Sequence, residues 1–290
     1  VHWGMERHLD RVAEQLGRDP STLRRANLLT PGDTHPTGQR MEQDHGDLRG
    51  CFDAVAERLD DVDRTPSAPG RVRGVALSPL MKAPVMATNA SSAAMLKLNG
   101  DGSVDLAVSG TEMGQGAWTV LGQIAADALG MPVERIRTAR FIDTSTSPYE
   151  WQTVGSTTTW KVGQAVRAAA GDLLGRLRGN AAVALGVPAD RIAHDGEALW
   201  DREAPERRVP IARVALNAVH PDGRAEGGPA AGYGSFTPHG LTRPDDRGKG
   251  TLAAEWTFGC HGAAVEVDTG TGEVRVLKLV TALDVGTVVN

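Results

Sequence analysis

Cysteine is nearly absent. Cys51 and Cys260 are the only two in 290 residues, and no CxxC spacing joins them. By themselves they cannot hold an iron–sulfur cluster or a structural zinc. Both sit in apolar patterns, which fits buried, unbridged thiols in a reducing compartment; the expected localisation is cytoplasmic. Long apolar runs are missing as well. None approaches the roughly 20 residues that a bilayer-spanning helix needs, so no membrane span is expected. No secretory leader is visible in a chain that starts at Val1. Excess positive charge is also lacking: 31 Lys and Arg stand against 36 Asp and Glu, a net −5. With no basic block to neutralise phosphates, no nucleic-acid partner is expected. There is no GxxxxGK[ST] loop, no GxGxxG, no Gly-x-Ser-x-Gly elbow and no His-x-x-x-His pair.

What is present is ordinary in amount and specific in arrangement. Hydrophobic residues make up 40%, enough for a sizeable core in one large domain or two ordinary ones. Residues 1–16 read as a helix with Met5, Leu9, Val12 and Leu16 on one face. Asp19-Pro20 fits an N-cap with proline at the first helical position, opening a helix over 21–29. Residues 30–38 read as loop and 47–59 as helix. The acidic, proline-containing stretch 60–69 reads as a linker. Strands are expected at 73–77, 94–98, 103–108 and 136–142; Asn99-Gly100-Asp101-Gly102 marks a hairpin. Residues 192–200 form a second hairpin turning at Asp195-Gly196. A short helix is expected at 210–219, an ordered surface loop at 223–250, and closing strands at 252–258, 263–268 and 273–283. Gly259-Cys260-His261-Gly262 interrupts that pattern, as a bulge or a close backbone contact would.

The chain is organised around the stretch from Ser109 to Thr119. A strand enters it and a helix with Val120, Leu121, Ile124, Ala125, Ala128 and Leu129 on one face leaves it. Gly114 and Gly116 let the backbone approach a ligand, Gln115 adds an amide that donates and accepts, and the helix start offers unpaired N–H groups. Glu112 is read as facing solvent. A second polar corner, Thr153 to Thr159, precedes a long helix over about 162–185. Its hydroxyls serve as helix caps or as phosphate ligands. The two helices end alike, in Ala128-Leu129-Gly130-Met131-Pro132 and Ala184-Leu185-Gly186-Val187-Pro188. The scattered histidines are expected on the surface, and Trp118, Trp151 and Trp160 near the corners are expected to pack in the core. The residues alone give an α+β chain of mixed sheets and packed helices, with two helix starts suited to a phosphate-bearing organic cofactor and no metal ligands of its own.

The run Gly110-Thr111-Glu112-Met113-Gly114-Gln115-Gly116, with Thr119, Gln123 and Ile124, resembles the molybdopterin-binding signature of the xanthine dehydrogenase and aldehyde oxidase family, the molybdenum hydroxylases. Other motifs agree in order. Leu9-Asp10, Leu16-Gly17-Arg18-Asp19-Pro20 and Asn27-Leu28-Leu29 resemble the family's helix pair. Thr153, Gly155-Ser156, Thr158 and Gly163-Gln164-Ala165-Val166 resemble its second cofactor loop. Phe258-Gly259-Cys260-His261 and Asp284-Val285-Gly286 resemble its late hairpin and strand.

The resemblance implies a large molybdenum subunit that oxidises a small-molecule substrate with water-derived oxygen. It implies molybdopterin, plain or as the cytosine dinucleotide, with electrons passing to iron–sulfur clusters and FAD on partner domains or subunits. Gly114, Gln115, Gly116, Thr153, Ser156 and Thr158 would contact the cofactor. Thr157 departs from the arginine that many relatives carry. It also implies residues 1–60 as the tail of a preceding molybdopterin-binding region, 61–70 as linker, and 71–290 as a second such domain. A homo-oligomer of the full complex is expected. Both ends read as cuts through a larger protein, with the family's catalytic glutamate beyond Asn290, so the 290 residues alone are expected to be inactive. The alternatives are a noncatalytic scaffold that keeps the fold as a binding module and, less well matched, a generic nucleotide-binding domain. Purine, aldehyde, carbon monoxide, N-heterocycle and aryl-CoA enzymes share these motifs, so the resemblance fixes a cofactor class rather than a substrate.

Overall fold

A computed structural model describes residues 1–84 and 86–290. In chain order the elements are α1 (His2–Gln15), α2 (Pro20–Ala26), α3 (Leu48–Asp60), β1 (Arg71–Lys82), β2 (Ser92–Leu98), β3 (Val104–Val108), α4 (Ala117–Leu129), β4 (Ile136–Thr138) and α5 (Thr158–Leu185). There follow β5 (Ile192–His194), β6 (Ala198–Asp201), β7 (Ala204–Pro210), β8 (Ala218–Val219), β9 (Ala225–Glu226), β10 (Ala231–Phe236), β11 (Thr257–Asp268) and β12 (Val274–Asp284). The chain divides into two compact units: residues Val1–Met86 with Gly240–Val288, and Ala87–His239 with Val289–Asn290.

The first unit is an antiparallel sheet, β1-β11-β12, covered by α3. Leu48, Cys51, Phe52, Val55 and Leu59 of α3 meet Leu77, Phe258 and Cys260 in its core. Both cysteines are free and buried, and burial pushes the Cys260 thiol up to about 11. The stretch Gly259–Gly262 does not interrupt β11; the register shift lies at Ala264/Val265. The glycine at 262 answers to a close contact instead: a Cβ there would meet Leu59 Cδ1 at 2.4 Å and Val55 Cγ1 at 2.6 Å. Asp19 caps α2 through the Thr22 amide, with Pro20 at the first position, as the sequence predicts. α1 forms where expected, yet Ala13 is its only buried residue, and Met5 and Leu16 are exposed. It is tied to α2 by charge, through Arg24 with Glu6 and Asp10. Residues 61–70 lie within this unit and are anchored by Glu266, which accepts from the Ser67 amide and hydroxyl and from Arg73.

The second unit is built on the sheet β10-β2-β3-β4, antiparallel except for the parallel β3–β4 pair that α4 connects. Leu96, Leu98, Leu106, Leu121, Leu129, Leu173 and Leu177 fill the space between this sheet and α4 and α5. Two small antiparallel sheets, β5-β6-β7 and β8-β9, complete it. The repeated helix endings are real. Gly130 and Gly186 have φ of 64° and 63°, and each donates back to the same two carbonyl positions of its helix. A proline and one 3₁₀ turn then lead into β4 and β5. The two strands go to different sheets, so the repeated grammar does not make a symmetric pair.

Several boundaries differ from the expectation. β4 stops at Thr138, and α5 starts a turn early, at Thr158. Residues 210–219 hold a 3₁₀ turn, Ile211–Val214, and β8 instead of a helix. Within 223–250 lies β10, the outer strand of the main sheet, whose glycines hid it. α5 runs so close over β10 that a Cβ on Gly232 would meet the Ala169 carbonyl oxygen at 2.2 Å, and one on Gly234 the Ala169 nitrogen at 2.2 Å. Residues 252–256 lie outside any strand.

Candidate functional site

The first corner joins β3 to α4. Gly114 and Gly116 have φ of 101° and 80°, values that disfavour a side chain, and nothing lies within 4 Å of where a Cβ would stand. Gln115 folds back on its own loop: its Oε1 accepts from the Met113 amide at 2.6 Å, and its Nε2 donates to the Thr111 carbonyl at 2.8 Å. Trp118 closes the loop from beneath, with Nε1 donating to the Gly110 carbonyl.

Glu112 corrects the sequence reading. It does not project into solvent. Its carboxylate accepts from the amides of Gly114 at 2.8 Å, Gly116 at 2.9 Å and Trp118 at 3.1 Å. These bonds, led by those from Trp118 and Gly116, hold its carboxyl below the usual glutamate range. The chain therefore supplies its own anion to the start of α4. The signal available in sequence was an acid placed just before a glycine-rich helix entry, which is the position of an acceptor for free amides.

The second corner leads into α5. Gly155 and Ser156 both have left-handed φ, 71° and 62°. At Ser156 a non-glycine residue carries that conformation. Thr157 is fully buried; its hydroxyl donates to the Val154 carbonyl at 2.8 Å and tightens the turn. The side chain of Thr157, the N-cap residue of α5, makes no capping bond to the helix. The contrast with α4 is chemical: a carboxylate, Glu112, sits at one helix start, and hydroxyl residues stand before the other.

The two corners meet. The Thr111 amide donates to Thr153 Oγ1 at 2.7 Å. The Ser109 hydroxyl donates to the Pro148 carbonyl. A Cβ on Gly110 would stand 3.3 Å from Thr158 Cγ2. The loop that carries Gly114, Gln115 and Gly116 is thus joined to the one that carries Thr153, Ser156 and Thr158, within one unit. The tryptophans are structural supports. Trp160 packs edge-on against Phe236, and Trp151 lies under the Lys161 ammonium, 5.3 Å from the ring centre.

Sequence reasoning missed one pair beside the second corner. Lys161 Nζ lies 2.7 Å from Glu150 Oε1, with both side chains at most 4% exposed. The contact is close but not aligned as a hydrogen bond; Lys161 Nζ, Glu150 Oε2 and Ser92 Oγ are buried without a hydrogen-bond partner. The signal was spacing: Lys161 falls on the face of α5 that carries Val162, Ala165 and Ala169, all buried.

Among the described residues no group of three or more His, Cys, Asp or Glu could hold a metal ion, and no helix is long and apolar enough to cross a membrane. A family model described as the molybdopterin cofactor-binding domain matches residues 53–290. The carbon monoxide dehydrogenase large chain of Hydrogenophaga pseudoflava is 27% identical over 99% of this chain and 36% of its own. A putative xanthine dehydrogenase molybdenum-binding subunit of Escherichia coli is 26% identical over 100% of this chain and 37% of its own. The crystal structure of the aldehyde oxidoreductase from Desulfovibrio desulfuricans matches with a TM-score of 0.71 and 26% identity, over 100% of this chain and 28% of that one. The chain thus spans about a third of the length of the curated relatives it matches. With the two glycine-bearing corners in their expected order, the chain belongs to the molybdopterin cofactor-binding family of the xanthine dehydrogenase and aldehyde oxidase type, the molybdenum hydroxylases.

Proposed function

We propose that this chain supplies part of the molybdopterin cradle in the catalytic subunit of a molybdenum hydroxylase. The observation that supports the reading is the Thr111–Thr153 hydrogen bond, which ties together two corners far apart in sequence. The residues fit such a group. Gly114 and Gly116 leave open space for a flat ligand against the backbone. The start of α5, with the hydroxyl residues Thr153, Ser156 and Thr158 beside it, suits a phosphate or the polar edge of a pterin. Gln115 would contact the group from the first corner by exchanging one of its two intraloop bonds. At the start of α4 the Gly116 and Trp118 amides are already taken by Glu112.

When bound, the molybdenum–pterin group would supply oxidation of a small aldehyde, purine or N-heterocycle with oxygen from water. Its plain or cytosine dinucleotide form, and iron–sulfur and FAD partners as electron acceptors, belong to the same proposal. The chain's own residues bind and orient; none of them is assigned a proton-transfer role. The 290 residues alone are expected to be inactive.

The test is cofactor content. Full-length protein is purified from a host that makes molybdopterin, and the pterin is released, oxidised and measured by fluorescence. Near-stoichiometric pterin is expected, with several-fold less in Gln115→Ala and in Thr153→Val/Ser156→Ala. Full content in both variants would overturn the cradle. A competing reading is a noncatalytic binding module. It draws on the first corner's self-sufficiency, since both Gln115 amide atoms are engaged within their own loop. Folded full-length protein without pterin would favour it.

A further inference from the structure

We propose that the buried Lys161–Glu150 ion pair is the positioning device of the second corner, holding Thr153, Ser156 and Thr158 in the arrangement that meets the first. The importance of that arrangement rests on the cradle reading above; the clamp itself does not.

Residues 139–157, which connect β4 to α5, contain no helix or named strand. Something other than a ladder must fix the path of the corner. One end of it is fixed at β2. Glu150 forms an isolated antiparallel bridge with Ser92, the Ala93 amide donates to the Tyr149 carbonyl at 2.7 Å, and the Trp151 amide donates to the Ser91 carbonyl at 3.0 Å. The other end is α5, where the Lys161 amide donates to the Thr157 carbonyl. The ion pair joins these two anchors, and the corner residues lie between them. In a helix the side chain leans toward the N-terminus, so the Lys161 stem runs back toward the turn it closes.

The pair is a poor device for stability. Lys161 is fully buried in the first helical turn, where the helix dipole disfavours a cation. Beyond Lys161, the Glu150 carboxylate receives only a long 3.3 Å contact from the Gln152 amide. Glu150 Oε2 and the neighbouring Ser92 Oγ have no hydrogen-bond partner. A buried pair with unmet atoms is generally matched or exceeded in stability by an apolar pair of similar volume. What charge adds is selectivity, because only one placement of residues 150–161 lets the two groups meet. Trp151, under the ammonium, narrows that placement further.

The experiment measures hydrogen exchange by mass spectrometry on the full chain without cofactor, in wild type, Lys161→Met, Lys161→Arg and the apolar double variant Lys161→Met/Glu150→Leu. The double variant is expected to keep its unfolding midpoint. Its peptides covering 109–118 and 150–158 should exchange at least about tenfold faster, while those covering 94–106 and 170–180 stay protected. Lys161→Arg, which keeps the charge, should keep the corner protected. Unchanged exchange at the corner in the double variant would overturn the proposal. So would a rise spread evenly over the unit, or loss of protection in Lys161→Arg as large as in Lys161→Met. Pterin content of the same variants is read separately, so a failed cradle leaves the exchange result standing.

Discussion

The Thr111 amide donates to Thr153 Oγ1 at 2.7 Å, across 42 residues of chain. Thr111 is exposed, so water can replace the bond if it is lost. Thr153→Val should therefore cost about 1 kcal/mol or less in unfolding free energy. Pterin content of the full-length protein should fall several-fold, and Thr153→Ser, which keeps the acceptor, should restore it. Denaturant unfolding and pterin fluorescence on the same preparations check both halves.

Glu112 gives a pH signature. Its folded form favours the carboxylate, so its pKa lies below the ordinary 4.5. The stabilisation it contributes is present above that value and is lost as pH falls through the depressed folded value. Glu112→Gln should exchange amide protons faster than wild type at Gly114, Gly116 and Trp118 near neutral pH. The gap should close in acid. A gap that persists at low pH would mean that shape, not charge, holds the loop.

Glu266 carries a larger effect in the first unit. The Ser67 hydroxyl, then Arg73, then the Ser67 amide hold its carboxyl down to about 2. Only 1% of the residue is exposed. Ionised Glu266 stabilises the fold fully above its ordinary value of 4.5, and that contribution disappears as pH falls toward about 2. Glu266→Gln should be clearly less stable than wild type at neutral pH and converge with it near the lower limit. Denaturant titrations across that range, followed on the first unit's signals, give the answer.

Much of this was legible because local chemistry spoke for itself. Asp19-Pro20, the Asn99–Gly102 turn and the Gly130 and Gly186 caps each specify their own geometry without help from distant residues. Of the candidate site, the sequence shows the two glycine-bearing helix entries but not what joins them. Thr111 and Thr153, or Glu150 and Lys161, meet only after the sheet has brought their elements together. β10 was lost for a related reason. Gly232 and Gly234 read as loop, whereas the structure uses them to let α5 lie against the strand. Gly259 to Gly262 misled in the same way, since their glycines answer to neighbours across the sheet and on α3.

Two glycines of the second unit should respond to alanine with opposite signs. A Cβ at Gly234 would stand 2.2 Å from the Ala169 nitrogen and 2.3 Å from the Ala165 carbonyl oxygen. Both are backbone atoms of α5, which cannot swing aside as a side chain can. Relief requires lifting the helix from β10, so Gly234→Ala should cost about 3 kcal/mol or more, at or beyond the upper end for overpacked cores. Gly175 lies in the interior of α5, exposed, with nothing within 4 Å of its absent Cβ. There alanine removes backbone freedom from the unfolded chain and should add about 0.5–1 kcal/mol. Trp160 packs at 5.3 Å against Phe236 of β10, so the part of the fluorescence of the six tryptophans that Trp160→Phe removes reports on this helix–strand contact. Urea unfolding followed at that signal should move to lower midpoint in Gly234→Ala and to higher midpoint in Gly175→Ala. A neutral Gly234→Ala would show that α5 does not lie on β10 at this distance.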